Sequence, residues 1–132
     1  MRLAPVSLWL AAMAFAGAGA AFLAAPVLVR LVHLAPQTAT ALSDVRAVFG
    51  GLELGVAALL GYCARRPTLH RIGLLAQAVT FGGLVLGRIL SLLLDGVPEG
   101  ITLALGSAEL LGAAIAVKAL RQLGPASDAT TS

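Results

Sequence analysis

Two glutamates, Glu53 and Glu109, and two arginines, Arg46 and Arg88, stand inside stretches otherwise apolar enough to cross a lipid bilayer. Insertion scales put the penalty for one central charge at about 2.5–3.5 kcal/mol, and residues kept at that depth mark ligand or proton pathways with a partner close by. Four unpaired charges would be prohibitive for so small a bundle. Either Arg88 pairs with one or both carboxylates, or one carboxyl is carried in its protonated form. Both arrangements leave a carboxyl able to exchange a proton or bind a cation, beside guanidinium groups able to orient an anionic or carbonyl group. Glu53 and Glu109 are therefore the candidate catalytic or proton-relay residues.

The elements that place these groups are read from hydropathy. Of 132 residues, 59% are hydrophobic and only 11% charged, and the mean hydropathy is +0.97. A soluble domain carries about a quarter charged residues. Residues 3–29 hold no charge, residues 47–64 only Glu53, residues 72–94 only Arg88 and residues 100–117 only Glu109. About 20 apolar residues span roughly 30 Å of hydrocarbon. The chain thus predicts an all-α, four-transmembrane-helix bundle in one domain, residues 1–132. The helices are expected over about 4–32, 42–64, 69–94 and 100–121, with a disordered tail at 124–132. The first run also has features of a signal peptide, with Arg2 ahead of it and Ala18-Gly19-Ala20 as a cleavage-like site. Its apolar length is about twice the usual signal core, so a retained helix is expected.

Basic residues set the orientation. With alternating helices, Arg2, Arg65, Arg66, Arg71, Lys118 and Arg121 fall on one side, and Arg30 and Arg46 lie on the other with Asp44, Asp95 and Glu99. The positive-inside rule then puts both termini in the cytoplasm of a cell whose inner membrane holds the protein. The sequence pI of about 10.0 reflects this topology, and no nucleic-acid partner is expected. Cys63 is the single cysteine, which excludes an intramolecular disulfide and a cysteine zinc site. His33 and His70 fall at membrane boundaries without metal-ligand spacing. No phosphate-binding loop, dinucleotide fingerprint or Gly-x-Ser-x-Gly elbow is present, so no metal and no cofactor are expected.

Side-chain direction follows from an advance of about 100° per residue. In the third helix Gln77, Thr80, Leu84, Arg88, Ser91 and Asp95 share a stripe about 80° wide. In the second, Arg46, Gly50, Glu53 and Ala57 fall within about 60°, as do Thr102, Gly106, Glu109 and Ala113 in the fourth. Facing these stripes at one another builds an outward-opening pocket with Arg46, Asp44 and Asp95 at its rim. At 1.5 Å per residue, Glu53 and Glu109 sit roughly 13–16 Å below the outer surface. Gly51 and Gly55, and Gly83 and Gly87, are spaced for close helix packing, with Gly50, Gly82, Gly106 and Gly112 adding small surface. Ser43 or Asp44 is expected to cap the second helix, and residues 95–100 to form a turn. Arg30 to Glu53 spans 23 residues and Arg88 to Glu109 spans 21, so the two hairpins are a candidate parallel repeat.

Asp44-Val45-Arg46-Ala47-Val48-Phe49-Gly50-Gly51-Leu52-Glu53, Gly87-Arg88-Ile89-Leu90-Ser91, Asp95-Gly96-Val97-Pro98 and Glu109-Leu110 together carry a likeness. The chain resembles a bacterial family of small four-span membrane proteins known as a domain of unknown function, similar in plan to DoxX-like membrane proteins. The most specific element is Arg-x-x-aromatic-Gly-Gly, with Phe49 where tyrosine is more usual. The resemblance implies the four-span fold and directs attention to Arg46, Gly50, Gly51, Arg88, Asp95, Gly96 and Glu109. It implies no reaction.

The expected function is binding of a small amphipathic or lipid-like molecule, of isoprenoid or quinone type, in the Glu/Arg pocket. Its ligand or proton-relay residues are Arg46, Glu53, Gln77, Thr80, Arg88, Ser91, Asp95 and Glu109. Three alternatives use the same residues: an intramembrane acid–base isomerase or cyclase, a proton-coupled transporter working as a homodimer, and a structural accessory subunit.

Overall fold

The computed structural model describes residues 3–124. Arg2 and, apart from Gly124, the tail expected at 124–132 lie outside the described residues. Four helices are long and apolar enough to cross a membrane, and the protein is a multi-pass membrane protein. They are α1 (Leu3–Ala24), α2 (Ala39–Ala64), α3 (Pro67–Leu94) and α4 (Gly100–Gln122). The dominant contacts run between α1 and α2 and between α3 and α4, with α1 also touching both later helices.

Local chemistry explains the boundaries, including two that differ from expectation. The first helix ends at Ala24, not near residue 32, because Pro26 forces Ala25 out of helical geometry (φ −134°, ψ 76°). The chain continues as a 3₁₀ turn, Pro26–Val32, whose Val29 is wholly buried. His33 closes it in the left-handed region at φ 60° and bridges to Glu99 at 2.9 Å, across the start of α4. The second helix starts at Ala39, and its cap is Thr38 rather than Ser43 or Asp44. The Thr38 hydroxyl accepts from the Ala41 backbone N–H at 3.1 Å. Pro67 opens α3 with its fixed φ. Gly96, at φ +95°, makes the turn into α4 in a conformation that L side chains rarely adopt.

Inside α2, Arg46–Leu52 is a π-helix. Its i→i+5 turns hold about one residue more than α turns, so side-chain phase slips by roughly 100° across it. Arg46 is consequently exposed while Gly50 and Ala57 are buried. The single stripe expected from Arg46 to Ala57 is broken at its Arg46 end.

The core gathers at the end of the bundle that carries the connection between α2 and α3, Arg65 and Arg66. Leu8 of α1, Leu60 of α2, Leu74 of α3 and Ala116 of α4 are fully buried there, joined by Ala4, Ala11, Ala12, Cys63, Ala64 and Ala119. Within a bilayer, lipid tails are as apolar as leucine, so van der Waals fit drives helix association. Small residues make the fit. A Cβ on Gly19 would stand 2.9 Å from the Gly50 carbonyl oxygen, and one on Gly73 2.6 Å from the Cys63 Cβ. Away from this end α3 and α4 bury little, and Val79, Leu86, Leu93 and Leu94 face outward, as hydrocarbon permits.

Candidate functional site

Arg88 and Glu109 are brought together by two stripes that share the α3–α4 interface. Arg88 follows Leu74, Gln77 and Phe81 at helical spacing, and Glu109 stands seven residues, two turns, before Ala116. The Arg88 guanidinium forks onto the carboxylate. Its Nη2 donates to Glu109 Oε1 at 2.6 Å, and its Nε donates to Oε2. Gly106 makes room for the arginine stem, since a Cβ there would be 2.9 Å from Arg88 Cδ. The side chains retain 32% and 12% exposure. The sequence predicts a buried ion pair here; the pair that forms is only part-buried. A guanidinium has five N–H donors. Two are committed to Glu109, which leaves three for another acceptor.

Beside the pair lies an open groove of about 280 Å³, lined by Gly83, Leu84, Gly87, Arg88 and Ser91 of α3, Pro98 of the turn and Thr102 of α4. Gly83 and Gly87, expected to pack helices, have nothing within 4 Å of a built Cβ, and the same holds for Gly55. In α3 their missing side chains shape the groove instead. Gly51 is nearly as open, with only the Arg46 carbonyl oxygen at 3.8 Å. Of the expected packing glycines, Gly50 stands against Leu23 and Gly106 against Arg88.

Apart from Ser91, which also lines the groove, the other candidate residues are dispersed. Ser91 donates to the Asp95 carboxylate at 3.0 Å, an exposed local contact at the end of α3. Gln77 is 2% exposed and ties three helices together. Its Oε1 accepts from the Ser7 hydroxyl of α1 at 3.1 Å, and its Nε2 donates to the Gly112 carbonyl of α4 at 3.2 Å. It is an interhelical clamp. Ser7 was missed in the sequence because one serine in an alanine-rich run gives no periodic signal. Thr80 is part-buried, and neither it nor Arg46 lines the groove.

Glu53 does not join the pair. It lies on the face of α2 that continues through Ala57, Leu60 and Ala64 into the core. Its Oε2 is buried without a hydrogen-bond partner among the described residues. Among these residues Arg30 forms no counterpart of the Arg88–Glu109 pair, so the two hairpins differ in their polar chemistry. An unsatisfied buried polar atom lowers stability by about 1–3 kcal/mol. Glu53→Leu is therefore expected to raise the detergent-solubilised protein's resistance to thermal unfolding, by about 1–3 kcal/mol. A destabilised variant would mean that Glu53 has a partner in the membrane.

No curated protein and no solved structure matches the chain. One family model, described as a domain of unknown function, matches residues 3–120. That span takes in all four helices up to the last turn of α4, the Arg88–Glu109 pair and Glu53, and the chain belongs to the DUF4345 family.

Proposed function

We propose that the protein binds a lipid-like molecule, of isoprenoid or quinone type, at the Arg88 groove. A carbonyl or anionic head group accepts hydrogen bonds from the free edge of the Arg88 guanidinium while the apolar remainder stays in hydrocarbon. The observation that carries this reading is an arginine held in place by Glu109 with three donors unspent, at the wall of a groove floored by two glycines. Small-molecule pockets that enclose their ligand measure about 300–1,000 Å³. A groove of about 280 Å³ that stays open suits a molecule that is itself at home in the membrane. Positive-inside orientation places the end bearing residues 65–71 in the cytoplasm of a bacterial inner membrane, so the groove opens toward the outer leaflet. Glu109 is engaged by Arg88 and Glu53 stands elsewhere. Binding is thus better supported than acid–base chemistry that needs both carboxyls at one substrate.

Leucine at position 87 tests this with little structural disturbance, because a Cβ there meets open space. The probe is a short-chain isoprenoid quinone added to protein in mild detergent, with retention read by native mass spectrometry. Wild type is expected to retain the quinone. Gly87→Leu, and separately the double variant Arg88→Gln/Glu109→Gln, are expected to lose at least about tenfold, the scale of one charge-assisted hydrogen bond. Equal retention by wild type and both variants would rule out this groove as the site.

A further inference from the structure

A second groove lies between α1 and α2, on a face of α2 that flanks the Glu53 face and shares Ala57 with it, and toward the other end of the bundle. It measures about 480 Å³ and runs along Ala12 and Ala16 of α1 and Ala58 and Gly61 of α2, ending at Trp9, Tyr62 and Arg65. The small residues leave a channel open along the helices, and Met13 and Leu54 wall it. At its mouth the Arg65 guanidinium sits over the Trp9 ring, 5.5 Å from the centroid, and the Arg66 guanidinium over the Tyr62 ring, 4.2 Å from the centroid. Aromatic rings of this kind occupy the headgroup level of a bilayer. The same end of the bundle bears Arg65, Arg66, Arg71, Lys118 and Arg121, and among the described residues it has no aspartate or glutamate.

We propose that this groove holds one acyl chain of an anionic phospholipid, with the phosphate seated on Arg65 and Arg66. Charge complementarity selects this occupant over a second copy of the chain. A two-fold axis along the membrane normal would set each copy's groove against its own equivalent, bringing Arg65 and Arg66 against the same two arginines with no acid at that level to offset them. An anionic headgroup supplies the missing charge, at about fivefold in binding per arginine. The ring faces beneath the guanidiniums hold these side chains at the groove mouth.

Trp9 is the only tryptophan in the chain and lines the groove, so its fluorescence reports the occupant directly. The experiment reconstitutes the full chain into phosphatidylcholine vesicles. Quenching by phosphatidylglycerol brominated on its acyl chains is compared with quenching by the matching brominated phosphatidylcholine. Brominated phosphatidylglycerol is expected to quench with at least about fivefold higher relative affinity, falling toward parity at 1 M salt and in Arg65→Gln/Arg66→Gln. Ala58→Leu, a change at an exposed position that fills the channel, is expected to weaken quenching by both lipids. Equal quenching by the two lipids in wild type, or an unchanged preference in the double arginine variant, overturns the proposal. So does quenching by both lipids that rises as the protein is diluted in the bilayer, since a second copy would then be the occupant.

Discussion

Removing one end of the Arg88–Glu109 pair is expected to destabilise the bundle by about 2–4 kcal/mol, whereas replacing both ends with leucine should leave stability near wild type. The reason is the asymmetry between a pair and its halves. Together the groups neutralise one another through a fork of two hydrogen bonds. Apart, each is a charge flanked by helices and hydrocarbon. Glu109→Leu should be the more damaging single change. The guanidinium it strands keeps its charge and all five N–H donors in need of acceptors. The measurement is a double-mutant cycle on thermal or dodecyl-sulfate unfolding in mixed micelles. A coupling energy of about 2 kcal/mol or more is expected. A coupling near zero would show that each side chain reaches the headgroup layer independently, and the arginine would then not be pre-positioned for any ligand. The double leucine variant separates the two roles of the pair: it should fold, and it should lose the quinone.

Four-span architecture was legible because it follows from a coarse signal, long apolar runs broken by short polar segments. The pairing of Arg88 with Glu109 was also open to inference. Both residues lie on regular α-helix, where 100° per residue holds and the facing stripes can be computed. The inference failed at Arg46 for a local reason. The π-helix over Arg46–Leu52 slips the phase, and nothing in Arg46-Ala47-Val48-Phe49-Gly50-Gly51 announces a wider turn. Glu53, just beyond that segment, keeps its place on the core face but not the partner expected for it. The first helix is shorter than its hydropathy predicts because residues 27–32 are apolar enough to continue it, and Pro26 decides otherwise. Thr38 gives no cap signal in the sequence because it lies ahead of the apolar run that marks the helix.

Glycine is where the sequence was least informative and where a large effect is expected. Gly73 and Gly83 sit on the same helix in similar apolar company, yet a built Cβ at Gly83 meets nothing within 4 Å, while one at Gly73 would be 2.6 Å from Cys63 Cβ and 3.0 Å from a Leu8 methyl. Leu8 and Cys63 are themselves packed in the core, at 0% and 2% exposure, and cannot swing aside. Gly73→Val is therefore expected to cost about 3 kcal/mol or more through overpacking, with a matching loss of monodisperse protein after extraction. Gly83→Ala should be neutral, or stabilising by up to about 1 kcal/mol from the helix preference of alanine over glycine. A swap tests whether the 2.6 Å contact is the cause. Cys63→Gly removes the atom that a new side chain would strike, so Gly73→Ala/Cys63→Gly should be more stable than the sum of the two single changes predicts, by about 1 kcal/mol or more. If the changes simply add, the α2–α3 contact is looser than described and the core that anchors the Arg88 stripe is not held by Gly73. If they compensate, the register of α3 against α1 and α2 is fixed about four turns of helix below Arg88, at a glycine without any charge or side-chain hydrogen bond of its own to mark it.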